Sequence, residues 1–366
     1  MMTLEIVLLL VLWIYVLIQL LLIAAFLAEK KSPQKTALQP FVSILVAARN
    51  EEDNIENCLN CLVKLNYPKE KFEIWVGDDG STDQTANRVA KLAEIYPMIH
   101  LLSIHSKLGK AEAKANVLAQ LVHQTKGDYI FVTDADILVP ETWIQKLLPY
   151  LTEPNVGIVS GTTLVEGDTL FEKMQGLEWL LANGNLLGFD AMGLKSTAAG
   201  NNMAFSRAAY LKTGGYENIP FSVTEDFQLF KYIRKEGYKT YNLVDASCLN
   251  ISKAQKSLTG LLHQRKRWMI GGQGLPPIWL FIFLINGLYA PAIFMLGFTH
   301  LKLAIVIELI KFLLQSLFII QLRVKLKQKI NYLHVLLFEP YLLIMNIIMA
   351  LFYLWPVKMK WKERTF

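Results

Sequence analysis

Two acidic clusters follow directly on apolar runs, Asp78-Asp79-Gly80 and Asp134-Ala135-Asp136. Side chains two apart on an extended backbone point the same way, so an Asp-X-Asp at a strand end presents both carboxylates to one side. One such carboxylate together with ligand phosphates is the usual way to hold Mg2+ or Mn2+, which keep several positions for water or substrate oxygens. Each cluster alone is also ordinary turn chemistry, since Asp-Gly favours tight turns. Two clusters at neighbouring strand ends are harder to explain that way. Four acids along one rim repel one another unless a cation or a donor-rich ligand offsets them.

Three further clusters stand downstream: Gly200-Asn201-Asn202, Thr224-Glu225-Asp226 and Gln264-Arg265-Lys266-Arg267-Trp268. Each has a plain structural reading. Thr224 can cap a helix whose first turn holds Glu225 and Asp226, where the helix dipole favours acids. The basic triplet can flank a membrane segment, with Trp268 as an interfacial ring. Asn201 and Asn202 can be turn residues. Cys58 and Cys61 lie at i and i+3 within an expected helix, with only Cys248 elsewhere, so they read as packing groups rather than a zinc or redox site. The six histidines are scattered and form no ligand cluster.

The elements that must place these clusters alternate. A continuous apolar run at 41–47 predicts a strand of the kind covered on both faces, and 72–77, 99–104 and 129–133 read as further strands. Between them, 54–63 and 110–123 read as helices, and a capping box at Ser81 and Gln84 opens another through Ala93. Repeated strand–helix–strand units imply an α/β fold with a mostly parallel, right-handed sheet. Ligands of such sheets bind at the carboxyl ends of the strands. Arg49-Asn50-Glu51, Asp78-Asp79 and Asp134-Ala135-Asp136 all sit at that edge.

Grease and charge divide the chain into three. The 366 residues are 53% hydrophobic and only 19% charged, too apolar for disorder or for an ordinary soluble domain. Residues 6–28 form one apolar run, beginning after Glu5 and ending before Lys30 and Lys31, which reads as an uncleaved anchor with its far side in the cytoplasm. Further candidate spans run over 276–299, 303–322 and 332–355. The net charge of +6 comes from the ends: one acid before residue 29, ten bases against three acids after 274, and 27 of each between. Basic excess beside membrane spans follows the positive-inside rule and excludes nucleic acid as the expected partner. Three full C-terminal spans would leave Lys358, Lys360, Lys362 and Arg364 outside, against that rule, whereas a break at Glu339-Pro340 would make the last segment re-entrant or interfacial. The expected organisation is a transmembrane anchor over 1–28, a cytoplasmic domain over 29–274 and a membrane region over 275–366 with two or three spans.

In this order, the clusters resemble the membrane-bound family 2 glycosyltransferases, which include ceramide glucosyltransferase and the cellulose, hyaluronan and poly-N-acetylglucosamine synthases. These share three separated acidic sites followed by Gln-X-X-Arg-Trp, here Gln264 to Trp268, and the pattern covers about 40–270. The resemblance implies the GT-A nucleotide-sugar fold, Rossmann-like and flanked by transmembrane helices. It assigns Asp79 to reading the base, with Ala47 and Glu51 lining that pocket and Lys110 beside it. Asp134 is placed near the ribose and donor sugar, and Asp136 becomes the ligand of a divalent metal ion (Mg or Mn). Asp226 matches the catalytic base, preceded by Glu225 at the same site, and Asn201 and Asn202 fall in an acceptor-side loop. Gln264 and Arg267 lie near the diphosphate, and Trp268 at the acceptor. With a single base and no covalent nucleophile evident, the reaction is expected to invert the anomeric centre. The expected donor is a nucleotide sugar, most simply a UDP-sugar, and the expected acceptor a hydroxyl of a membrane lipid. The alternatives are a small processive exopolysaccharide synthase and, remotely, an inactive scaffold. The expected location is a multi-pass membrane protein, in the inner membrane if bacterial.

Overall fold

The alternating pattern folds as a doubly covered sheet. The computed structural model describes residues 2–28, 39–195, 197–272 and 275–354, and the backbone of 360–361 and 364–365. After helix α1 (Met2–Leu27) come β1 (Val42–Ala48), α2 (Ile55–Leu62), β2 (Phe72–Asp78), α3 (Thr85–Ile95), β3 (Ile99–Ser103), α4 (Ala113–Gln124) and β4 (Tyr129–Asp134). There follow α5 (Trp143–Leu151), β5 (Val156–Ser160), β6 (Thr163–Glu166), α6 (Leu170–Ala191), β7 (Met203–Ser206) and α7 (Arg207–Thr213). Helix α8 (Glu225–Lys235), β8 (Lys239–Asn242), β9 (Asn250–Lys253) and α9 (Leu258–Gly271) lead to the apolar helices α10 (Pro277–Thr299), α11 (Leu301–Lys325) and α12 (Tyr332–Leu354), and to the short pair β10 (Lys360–Trp361) and β11 (Arg364–Thr365).

The main sheet has the order β3-β2-β1-β4-β7-β5-β8, parallel except for β7, which is antiparallel to both its neighbours. A second sheet pairs β6 with β9. The continuous apolar runs are explained by burial from both sides: α2, α3 and α5 pack on one face, α4, α7 and α8 on the other. Register sets the ligand edge. Ala47 lies beside Gly77 on one side and beside Asp134 on the other, so the loops after β1, β2 and β4 leave the sheet at one level.

Three expectations shift. The helix after β2 begins at Thr85, not within a Ser81 capping box; Asp83 accepts from the amide and hydroxyl of Thr85 instead, while Ser81 accepts from the amide of Asn50. The helix expected from residue 110 starts at Ala113. And α12 runs unbroken through Pro340, with Glu339 answered by Lys311 and by Gln315 at 2.7 Å. Cys58 and Cys248 are buried and all three cysteines are free, as packing groups would be.

Among the described residues, four helices are long and apolar enough to cross a bilayer: Thr3–Leu27, Pro277–Thr299, Leu301–Lys325 and Tyr332–Leu354. Helices α1 and α10 lie antiparallel. His300 meets Glu5 at 3.5 Å, the rings of Tyr289 and Tyr15 are 4.3 Å apart, and Trp279 packs near Leu22. Helix α6 joins this bundle to the sheet domain. It passes so close to α1 that a Cβ on Gly188 would sit 2.8 Å from Leu22 Cδ2 and 3.0 Å from its carbonyl oxygen.

Candidate active site

The loops at the carboxyl edge are laced together. The Arg49 guanidinium donates to the Asp79 carbonyl at 2.6 Å, and the amide of Glu51 donates to the Thr85 hydroxyl at 2.7 Å. Asn50, at φ 51°, accepts from the amide of Thr82 at 2.9 Å. These bonds hold Glu51 and Asp79 at the rim although neither lies within a regular element.

One cation organises the acids. The Lys114 ammonium, in the first turn of α4, reaches Asp134 at 2.6 Å and Glu225 at 2.8 Å, with its side chain only 13% exposed. Burial alone would lower its pKa, but the two carboxylates outweigh that and hold it well above the usual lysine value. Beside it, Asp226 accepts from the amides of Gly200 and Phe227, each at 2.8 Å. Burial, and then the charge of Glu225, push the Asp226 carboxyl up to about 6 against the pull of Lys114. A group that titrates there is ionised at neutral pH and still basic enough to accept a proton. Gly200 must be glycine, since a Cβ would lie 2.8 Å from Asp226 Cβ and Oδ2.

Helix α9 closes the other side. Its Gly271 passes Thr224 so tightly that a Cβ would stand 2.2 Å from Thr224 Oγ1, which fixes the Gln264–Trp268 face against the Asp226 loop. Trp268 lies 4.6 Å from Trp179 of α6, ring to ring. Arg265 caps that pair, 4.4 Å over Trp268, and is paired with Glu178 at 3.1 Å.

A single cavity of about 1060 Å³ joins these parts. Of the residues expected from sequence, Ala47, Glu51, Asp79, Asp134, Asp136, Asn201, Glu225, Asp226, Gln264, Arg267 and Trp268 line it. From there the cavity continues along Leu186 of α6 and Leu275 to Trp279, Leu280, Phe283 and Asn286 of the apolar helix α10.

Two expected residues lie elsewhere. Lys110 is exposed in the turn before α4 and bonds through its amide to the Glu217 carbonyl at 2.8 Å; it is not among the cavity-lining residues, and Lys114 stands in the pocket instead. Asn202 is fully buried behind the wall, accepting from the Trp143 indole at 2.8 Å and donating to the carbonyls of Thr162 and Cys248, so it holds the loop rather than a ligand. Sequence reasoning missed Lys114, and placed Arg49 at the ligand edge without giving it a role. With the helix expected from residue 110, Lys114 falls in the second turn; the later start at Ala113 puts it in the first, where it opposes the dipole and wants an anionic partner.

The acids suit a divalent ion in one way only. Among the described residues, no three His, Cys, Asp or Glu form a metal cage. Asp134 is engaged by Lys114, and Asp136 lines the rim beside it. One carboxylate holds Mg2+ or Mn2+ when substrate phosphates and water complete the shell, so the donor set fits an ion that arrives with a diphosphate.

The sequence profile of glycosyl transferase family 21 matches residues 4–366. The chain belongs to this family. A beta-monoglucosyldiacylglycerol synthase of Synechocystis sp. is 28% identical over 239 residues, 65% of this chain and 49% of that one. A poly-beta-1,6-N-acetyl-D-glucosamine synthase of Staphylococcus aureus is 28% identical over 234 residues, 63% of this chain and 54% of that one. The chain thus spans about half the length of these relatives. A mannosyltransferase from Pyrobaculum calidifontis, solved with GDP-Man and Mn2+, superposes with a TM-score of 0.61 at 19% identity, over 96% of this chain and 99% of that one. The likeness shows a shared fold: the GT-A sheet with its apolar helices. Family membership and fold agree with the resemblance drawn from the sequence.

Proposed function

We propose that this glycosyltransferase moves a sugar from a nucleotide-sugar donor, most simply a UDP-sugar, to a hydroxyl of a membrane lipid, with inversion at the anomeric carbon. The observation that carries the reading is the continuity of the cavity, from the acidic rim at one end to apolar α10 at the other. A water-soluble donor fits the first part and an acyl or isoprenoid acceptor the second. The glucosyldiacylglycerol synthase among its relatives supports the lipid.

In this reading Ala47, Glu51 and Asp79 receive the nucleobase, and Asp134 the ribose and donor sugar. Lys114 holds Asp134 and Glu225 in place and takes the part that sequence gave to Lys110. A divalent ion on Asp136 and the donor's phosphates supplies Lewis-acid stabilisation of the leaving diphosphate when bound. Arg267 adds a fixed forked cation, with Gln264 beside it. Asp226 takes the proton of the acceptor hydroxyl as that oxygen attacks the anomeric carbon from the face opposite the diphosphate. Gly200 and Phe227 amides fix the carboxylate's aim, and Trp268 forms the acceptor wall. Asn201 stands at the acceptor side, its backbone carbonyl tied to Thr133 and its side chain to Thr163. The catalytic domain lies on the cytoplasmic side of a multi-pass membrane protein, the side on which nucleotide sugars are made.

Membranes incubated with a labelled nucleotide sugar should yield an organic-extractable product of one size. A long water-soluble chain would overturn the reading in favour of an exopolysaccharide synthase, the activity named for the Staphylococcus relative.

A further inference from the structure

We propose that α12 does not cross the bilayer but lies on its catalytic-side surface, covering α6 and α9, so that two spans follow the catalytic domain and the chain returns to the side it left.

The argument is geometric. The N-terminal end of α12 belongs to the catalytic domain's surroundings: His334 and Val335 share a small cavity with Leu164 and Glu166 of β6, and Val335 and Phe338 join the cluster built on Leu177 of α6. The middle touches both neighbours: Glu339 meets Lys311 and Gln315 of α11, while the Tyr341 hydroxyl donates to Glu178 of α6 at 3.3 Å. The far end belongs to the catalytic domain's surroundings as well. The Phe352 carbonyl accepts from the Lys266 ammonium at 3.4 Å, and its ring meets His263 edge-on at 5.3 Å. Tyr353 lines the same cavity as Asp79 and Asp226. From Val335 to Phe352 the helix advances about 25 Å at 1.5 Å per residue, nearly the thickness of a hydrocarbon core. A spanning helix would carry Phe352 to the opposite leaflet. Here it carries Phe352 to α9, a helix that starts five residues after the sheet strand β9.

The three other long helices behave differently. The α10–α11 turn at His300 meets Glu5 near the start of α1, away from the sheet domain, so these three have one end apiece on the far side.

The outer face of α12 says what covers it. Leu333, Leu336, Ile344, Ile347, Leu351 and Leu354 are each more than half exposed and, with the exposed Pro340 between Leu336 and Ile344, follow a three- or four-residue spacing, a single apolar stripe opposite the face that holds Phe338, Tyr341 and Met345. The opposite face of α12 is covered by protein, so this stripe is the part of the helix left to face lipid. The charge downstream matches: Lys358, Lys360, Lys362 and Arg364 outnumber Glu363, and the backbone of Lys360–Trp361 lies against α9. With α12 on the surface, the basic sequence that follows it falls on the catalytic side, as the positive-inside rule asks. The occupant of the stripe is therefore the catalytic-side leaflet itself.

Single-cysteine labelling in sealed vesicles decides it. Lys107→Cys marks the catalytic domain, His300→Cys the α10–α11 turn and Lys362→Cys the segment after α12, with the unsubstituted chain as the blank. An impermeant maleimide should label Lys362→Cys from the same side as Lys107→Cys, and His300→Cys from the other. Labelling of Lys362→Cys together with His300→Cys overturns the proposal. A second measurement covers a masked tail: bimane on Leu333→Cys, Ile344→Cys and Leu354→Cys, quenched by lipids brominated at graded depths. A flat or steadily sloping profile supports a surface helix. A profile deepest at Ile344 and shallow at both ends means a span and refutes it.

Discussion

Replacing Lys114 by Met tests whether one ammonium sets the protonation of the site. The side chain sits 2.6 Å from Asp134 and 2.8 Å from Glu225 and is nearly buried. Breaking a buried pair by deleting one partner costs about 3 kcal/mol or more, because the other charges stay behind. Three carboxylates, Asp134, Glu225 and Asp226, then share a site with less compensation. Asp226 already titrates at about 6 with Lys114 pulling it down. Removal of a cation at this range raises a carboxyl by about one unit or more. The sign follows from the role of a base, which works ionised: a higher pKa removes activity from the acid side. At pH 6 the ionised fraction falls from one half to about one tenth for a one-unit rise, roughly fivefold in kcat/KM, while above pH 8 the titration loss vanishes. The assay is kcat/KM for sugar transfer in nanodiscs from pH 5 to 9, for native protein, Lys114→Met, Lys114→Arg and Lys110→Met. Lys114→Met should move the acid limb upward, Lys114→Arg should leave it near its native position, and Lys110→Met should resemble native protein. An acid limb that stays in place for Lys114→Met, or moves for Lys110→Met, refutes the reasoning.

Asp226→Asn should lower kcat by about 10²–10⁴-fold, the usual range for a general base, while donor affinity by calorimetry stays within about twofold; an equal loss of both would remove it from the base role. Phe283→Ala should raise the KM for a long-chain acceptor by about 10-fold, from lost apolar burial, with donor KM unchanged. A short-chain soluble acceptor should feel this substitution little, and an equal effect on both acceptors would place the lipid elsewhere. Chelation by EDTA should abolish transfer and added Mn2+ or Mg2+ restore it, with titration of the nucleotide diphosphate followed by calorimetry showing weaker binding to Asp136→Ala only when the ion is present.

What could be read in the sequence was what depends on local pattern. Strands buried on both faces write themselves as apolar runs, and acids at their ends, Asp79, Asp134 and Asp136, inherit a position on the rim from the sheet alone. Lys110 and Lys114 differ by about one helical turn, and the choice between them rests on where α4 starts. Ala113 at φ 47° delays that start, which no propensity announces. Asn201 and Asn202 are adjacent and chemically identical, yet one lines the cavity and the other ties Trp143 to the wall, a distinction made by β7 running antiparallel between β4 and β5. The capping residue before α3 was mislocated because Ser81 spends its hydroxyl on the neighbouring loop, and only the fold brings Asn50 to it. The break foreseen at Pro340 does not occur: the helix continues through it, and Glu339 meets Lys311 and Gln315 of another helix.

The antiparallel seam between α1 and α10 has a consequence for biosynthesis. Tyr15 finds its ring partner at Tyr289, so α1 waits for a segment made 274 residues later. At about 5–20 residues per second that interval is on the order of tens of seconds, long enough for the whole seven-stranded sheet to form first. During it, α1 can find α6, but its Tyr15 face has only lipid or the insertion machinery for company.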